Sequence, residues 1–354
     1  MILAADIGGT KTHVALFDWK TERVDPERER TYFSKDFASF DEILSDFLTP
    51  PKPLHDAAES DESAASADGP VVEKPLPQID IGCFGVAGPC VDNRCHTTNL
   101  PWIVDGGELA KTFDIPSVKL LNDLEATAYG LLVLRPEEVE VLNAGTRPKE
   151  AAALALIAAG TGLGESILVW QGSQYHPMPS EGGHADFAPN SDMEIELLRY
   201  LRTNYLHVSW ERVLSGAGLH AIYEFLRDTK KNEPTWVAER VKVGDPAAVI
   251  AEIGLSRGAE ICVQALDLFA AIYGAEAGNL ALKALSLGGV YVGGGIAPKL
   301  LPKLKEGGFV RSFMNKGRYK RLMSGIPVKV IVNPKTALIG AASAGARLLT
   351  ESGL

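Results

Sequence analysis

Three segments, "DIGGTKT" (6–12), "AAGTGLGE" (158–165) and "VGGGIAPK" (292–299), share one trait: each follows an apolar run. Glycine lets backbone N–H groups approach an anion closely and line a small concavity for it. The first two turns run on into a second strand, "THVALFDW" and "ESILVW", so each reads as a hairpin. A dinucleotide fingerprint needs strand, glycines and then helix, which those two turns do not offer. The pattern GxxxxGK[ST] is absent, and so are the VAIK, HRD and DFG segments of protein kinases. What remains is a phosphate-binding hairpin in each of two lobes, with a cleft between them.

The chain has 354 residues, 46% hydrophobic and 23% charged, enough for two lobes with real cores. A net charge of −10 argues against a nucleic-acid partner, which needs concentrated Lys and Arg. The opening "MILAADIGGT" lacks a basic n-region, and no unbroken apolar run reaches the roughly 20 residues that span a bilayer. The expectation is a cytoplasmic protein without a membrane partner. Cys83, Cys90, Cys95 and Cys262 form no CxxC or zinc-finger spacing, and the expectation is neither disulfide nor structural metal.

Along the chain, "SFDEILSDFLT" (39–49) reads as an amphipathic helix opened by Ser39. Residues 50–78 are rich in Pro, Ala, Ser and acids and read as a mobile surface insertion, most acidic at about 55–75. "SVKLLND" (117–123) is a strand running into the helix "EATAYGLLVL" (125–134). Residues 151–170 repeat the plan of the N-terminus: apolar strand, glycine turn, alternating strand. "SDMEIELLRYLRTNY" (191–205) opens a helical stretch capped by Ser191 or Asn190, and helices dominate to about residue 285. "IPVKVIV" (326–332) is the last strand and "TALIGAASAGARLLT" (336–350) the last helix.

"DIGGTKTHVAL" and "GTGLG" resemble the two phosphate loops of the sugar kinase, Hsp70 and actin superfamily, and "VGGGIAPK" resembles its adenosine segment. "LLND", "GTGLGES", "PSEGGHADFAPNS", "HVSWERVLSGAGL", "AGNLAL", "GGVYVGGGIAPK" and "GFVRSFMNKGRYKRLMSGIPV" are together similar to the bacterial glucokinases of the hexokinase type. The likeness runs from residue 2 to the C-terminus, apart from the acidic insertion. The related repressors and open-reading-frame kinases carry a cysteine-rich zinc motif beside the site histidine, which is missing here, and the stretch before Asp6 is too short for a helix-turn-helix, so a sugar-responsive repressor is not expected.

The resemblance implies an α/β, two-lobed ribonuclease H-like (actin-like ATPase) fold with the active site in the interlobe cleft. Residues 1–132 with 336–354 would form the small lobe and 133–335 the large one. It implies phosphorylation of D-glucose by ATP, with Mg²⁺, by a homodimer. Asn122, Asp123, Glu181, His184 and Glu211 would bind the sugar, with Asn99 of "TTNLPW" beside them. Hydroxyls that donate and accept call for such carboxylate, amide and imidazole partners. Asp123 would be the general base, although an isolated Asp at a strand-to-helix junction also reads as a helix cap. Gly8, Gly9, Thr10, Gly160, Thr161 and Gly162 would meet the phosphates, and Gly293, Gly294 and Gly295 the adenosine. Lys11 is a candidate phosphate cation unless it points to solvent, and Asp6 would hold Mg²⁺ through water. "SEGGH" does not decide between glucose, mannose, fructose and an N-acyl hexosamine, and a catalytically silent sugar sensor would use the same pocket.

Overall fold

The computed structural model describes residues 1–19, 25–49, 77–146 and 148–352. The insertion expected at about 55–75 lies outside the described residues. The chain forms two compact units, Met1–Ala126 with Ala337–Leu354, and Thr127–Thr336.

The first unit is built on strands β1 (Ile2–Ile7), β2 (Lys11–Phe17), β3 (Pro26–Phe33) and β4 (Ile81–Val86). A small meander follows, β5 (Cys90–Val91), β6 (Arg94–His96) and β7 (Ile103–Asp105), and then β8 (Val118–Asn122). The main sheet has the order β3-β2-β1-β4-β8, with β1, β4 and β8 parallel and β2 and β3 antiparallel. β1 and β4 are central and nearly continuous in apolar or small residues, as strands covered on both faces must be. β3, "PERERTYF", is the edge strand; its exposed charges discourage pairing with another chain, and they also hid it from an apolar-alternation reading. Helix Phe40–Leu48 is capped by Ser39, which accepts the Glu42 N–H, and buries Phe40, Ile43, Leu44 and Phe47 at helical spacing. Helix Thr336–Glu351 brings Gly345 against Ile2, Ile81 and Cys83, a close approach that a side chain would obstruct.

One expectation is overturned here: Cys90 and Cys95 are joined as a disulfide. Asp92 and Asn93 have φ of 51° and 59°, the left-handed pair of a type I′ hairpin turn. That turn fixes the register Val91↔Arg94 and Cys90↔Cys95, so the two thiols face each other across the ladder. Cys83 and Cys262 are buried free thiols.

The second unit carries β9 (Val139–Asn143), β10 (Leu154–Ala159), β11 (Leu163–Gln171), β12 (Gln174–Ser180), β13 (Gly289–Gly293) and β14 (Val328–Ile331) in the order β12-β11-β10-β13-β14-β9. β10 and β11 form an antiparallel hairpin beside the parallel β13 and β14, the same plan as β1 and β2 beside β4 and β8. Helix Glu260–Ala284 is long and apolar enough to cross a membrane, but 67% of its apolar window is buried in this unit. It is the core helix: Phe269 and Tyr273 are fully enclosed, and Gly274 lets the backbone at Phe309 come close.

Candidate active site

In the first unit the β1–β2 turn is closed by Gly8 N–H donating to Lys11 O at 3.0 Å. Gly9 is forced to be small, because a Cβ there would lie 2.7 Å from Asn99 Cβ. The expected phosphate residues Gly8, Gly9 and Thr10 therefore stand beside the expected sugar residue Asn99. Ser34, which the sequence did not single out, braces this turn: its Oγ donates to Gly8 O at 2.7 Å, and its N–H donates to Thr10 O at 3.0 Å. Lys11 is exposed and lies over the Phe33 ring at 5.7 Å, a packing role alongside the phosphate role expected of it. Trp102 is buried in the core of this unit.

β8 delivers Asn122 and Asp123 to the same region. Asn122 Nδ2 donates to Gly88 O at 3.1 Å, and its Oδ1 accepts the Leu124 N–H at 2.9 Å. Its amide therefore ties the strand end to the loop that leads to Asn99. Asp123 is the first residue of helix Asp123–Leu131, and its Oδ1 also accepts from Leu124 N, at 2.9 Å. Gly85 makes room for this arrangement, since a Cβ there would lie 2.8 Å from Ala126 Cβ.

Burial pushes the Asp123 carboxyl above its ordinary range, and the N–H groups of Leu124 and of Asp123 itself hold it down. Asp6, at the end of β1, is pushed up to about 7 by burial and then by the Asp123 carboxylate. Two half-buried carboxylates that act on each other form a site short of positive charge, with the hard oxygen donors that Mg²⁺ prefers. Among the described residues no group of three or more His, Cys, Asp or Glu gathers around a common point. The residues thus fit an ion held mainly by phosphate oxygens and water, with Asp6 alongside.

The electrostatics carry a test. Asp6 is raised from 3.8 to about 7, so between those values the native state binds more protons than the unfolded chain. Its contribution to stability is greatest below about pH 4 and is lost as pH rises toward 7. A Mg-nucleotide bound beside Asp6 would expel about half a proton at pH 7 and almost none at pH 8.5. Calorimetry in buffers of different ionisation enthalpy reads this directly; zero release at pH 7 would contradict the raised Asp6.

In the second unit the "GTGLG" turn joins β10 to β11. Gly160 N–H donates to Gly162 O at 2.8 Å, and Gly160 O accepts from Gly216 N at 3.0 Å. Glu211 does not lie on a helix as its surroundings suggested; it sits in the turn before helix Gly216–Lys230. Its Oε2 accepts the Leu163 N–H at 3.0 Å and lies where a Cβ on Gly162 would go. Its own N–H donates to Gly183 O at 2.9 Å. Glu211 thereby joins two turns, "GTGLG" and the "SEGGH" turn of Glu181 and His184. The carboxylate of Glu181 and the imidazole of His184 are 3.8 Å apart, with side chains 86% and 60% exposed, open to a ligand.

Gly160 and Thr161 also line a pocket of 580 Å³. Of the expected adenosine residues, Gly295 lines it, whereas Gly293 closes β13 and Gly294, at φ 80°, makes the turn tightly against Ala159 O. Ile296, Lys299 and Leu300 continue the wall beyond Gly295, and two helices supply the rest: Gly216, Ala217 and His220 on one, Pro246, Ala247, Ala248 and Ala251 on the other, with Asp245 just before it. Those helical residues escaped the sequence reading because only the tertiary fold brings them to the glycine turns.

Comparison with known proteins comes to the same place. The glucokinase family model matches residues 3–348. The glucokinase of Nostoc punctiforme is 40% identical, over 98% of this chain and 99% of that protein, and the glucokinase of a Synechocystis species is 40% identical over 98% of each. Among solved structures, a glucokinase from an Antarctic psychrotroph superposes with a TM-score of 0.78 at 30% identity, covering 97% of this chain and 98% of that one. A Streptomyces griseus ROK-family glucokinase, in complex with glucose and AMPPNP, shares the fold at a TM-score of 0.58 and 19% identity. The α/β architecture with mixed sheets is that of the actin-like ATPase fold of these sugar kinases. On a family match across almost the whole chain and relatives of this identity and coverage, the chain belongs to the glucokinase family.

Proposed function

We propose that the chain transfers the γ-phosphoryl group of ATP to the 6-hydroxyl of D-glucose, with Asp123 as general base. The observation that carries the base assignment is the Asp123 carboxylate at the end of β8, fixed by the Leu124 N–H and close enough to Asp6 to raise its pKa. Phosphoryl transfer passes through a loose transition state, so the attacking hydroxyl becomes acidic late and a carboxylate suffices to take its proton. In this reading Asn99, Glu181, His184 and Glu211 hold the sugar hydroxyls, and Asn122 holds both the sugar and the Gly88 loop. A pocket of fixed polar partners discriminates strongly, because an analogue lacking the matching hydroxyl leaves a buried group unpaired.

Gly8, Gly9, Thr10, Gly160, Thr161 and Gly162 would direct backbone and hydroxyl donors at the phosphates, and the pocket containing Gly295 would take the adenosine. Asp6 would stand as the outer partner of a Mg²⁺ ion held by phosphate oxygens and water, which would supply positive charge against that developing on the phosphoryl group. The two units would serve as lobes that close on the sugar, excluding water that would otherwise be phosphorylated in its place. A cytoplasmic homodimer completes the proposal, with family membership as its support.

The test is coupled ADP release with Mg-ATP against glucose, mannose, fructose, galactose and N-acetylglucosamine, with a no-sugar control. Release with glucose far above the rest is the expected result. Release independent of sugar would make the chain an ATPase, and silence with every sugar while glucose still binds would make it a sensor.

A further inference from the structure

Behind the "SEGGH" turn lies a pair of carboxyl groups that the proposed chemistry does not use. Glu165, in β11, is 1% exposed, and Glu276, in the core helix Glu260–Ala284, is 0% exposed. Glu276 is tied to its own helix by Asn279 Nδ2 at 2.8 Å and Lys283 Nζ at 3.4 Å. No protein donor reaches Glu165 Oε1. A second unpaired carboxylate beside Glu276 would be costly in so dry a place, and the cost falls if one proton joins the two groups. Burial raises both carboxyls; Glu276 then adds to the rise of Glu165, to about 8, while Asn279, Lys283 and last Glu165 hold Glu276 down. Glu276 already holds the Asn279 and Lys283 donors and Glu165 Oε1 has none, so the shared proton belongs on Glu165, with Glu276 as its acceptor.

The other charges facing the pair come from three elements. Lys283 is on the core helix and half exposed; Lys316, after helix Gly308–Met314, donates to Ala275 O and Asn279 Oδ1 at 2.8 and 2.6 Å. Glu194, of helix Asp192–Leu201, acts on Lys316, and the Tyr273 hydroxyl is held by the Ala159 N–H at 3.0 Å. None of these donates to Glu165. Its Oε2 lies against Gly182, in the space a Cβ would occupy, and its backbone pairs with Ser180. Gly182 directly follows Glu181, two residues before His184.

We propose that Glu165 is a positioning residue for the sugar turn: its carboxyl proton, donated to Glu276, keeps the Glu165 head beneath Gly182, and loss of that proton drives the two carboxylates apart and displaces Glu181 and His184. The proposal rests on the reading of that turn as part of a glucose site. It predicts a pH effect on glucose affinity, with the rate at saturating sugar little changed.

The measurement is glucose KM and kcat from pH 7 to 9 at saturating Mg-ATP, for the wild type and for Glu165→Gln, whose amide donates to Glu276 and cannot ionise. With titration near 8, the competent fraction falls from about 0.9 to about 0.1, so the wild-type KM should rise about tenfold while kcat stays nearly constant. Glu165→Gln should keep a near-neutral KM and remain flat. Glu276→Gln leaves an ionised Glu165 no carboxylate to repel it, so its KM should also stay flat, which keeps the test open if the first variant does not fold. The protonated-carboxyl infrared band at pH 7 should weaken in Glu165→Gln, leaving the share that Asp6 contributes. A flat wild-type profile, or a rise that survives in Glu165→Gln, overturns the proposal; absence of glucose turnover at every pH overturns the functional reading and this proposal with it.

Discussion

Asp123→Asn is expected to lower kcat by roughly 100-fold to 10,000-fold, the usual contribution of a general base, while glucose KM changes little. The substitution preserves shape and keeps an oxygen to accept the Leu124 N–H, which Asp123 Oδ1 now holds at 2.9 Å. Folding should survive, because the change removes one of two facing carboxylates rather than a packing contact. A second readout follows from the same geometry. Burial raises Asp6 first and the Asp123 charge adds to it, so in the variant Asp6 should titrate lower and release less than its half proton on Mg-nucleotide binding at pH 7. Near-full turnover in the variant would remove Asp123 from the chemistry. Lost turnover with unchanged proton release would break the link between the two carboxylates.

Gly183→Ala is expected to reduce kcat/KM for glucose by about 100-fold, the scale of an ångström-sized misplacement of binding groups. The added Cβ would overlap the Leu163 carbonyl, which is backbone and cannot swing aside. Leu163 opens β11 directly after the phosphate turn, its N–H is held by Glu211, and the Glu211 N–H is held by Gly183 O. One methyl group thus pries the "SEGGH" turn from the "GTGLG" turn and disturbs the carboxylate that joins them. Overpacking of this kind also costs about 1–3 kcal/mol of stability. Because Glu211 lies between the two turns, the loss should appear in the apparent affinities for both sugar and nucleotide. An effect on stability alone would mean that the two turns act separately.

The parts of the fold that sequence made legible are those whose signal is local. The "ILAADIGGTKTHVALF" and "ALALIAAGTGLGESILVW" hairpins show apolar strands around glycine turns, and helix Phe40–Leu48 shows both its Ser39 cap and its spacing. Strand β3 escaped because an edge strand can be charged on its open face. The Cys90–Cys95 bond was missed although its signal was there: Asp92-Asn93 is a left-handed hairpin turn, and it sets the two cysteines opposite each other. Glu211 shows the limit on the site. Its neighbourhood suggested a helix, and nothing in "SWERVLSG" reveals that its carboxylate accepts a backbone N–H 48 residues earlier in the chain. The helices that line the pocket at Gly160 and Thr161, and the Glu165 and Glu276 pair, are likewise products of tertiary packing, invisible to any window of sequence.

The central claim is transfer of phosphate to a particular oxygen of a particular sugar. Phosphorus NMR of a mixture of the protein, Mg-ATP and glucose tests it most directly, because it identifies the phosphorylated product as well as the loss of ATP. The account predicts ADP and glucose 6-phosphate in equal amounts, with almost no inorganic phosphate. Inorganic phosphate as the main product, or phosphate on another sugar oxygen, would contradict it.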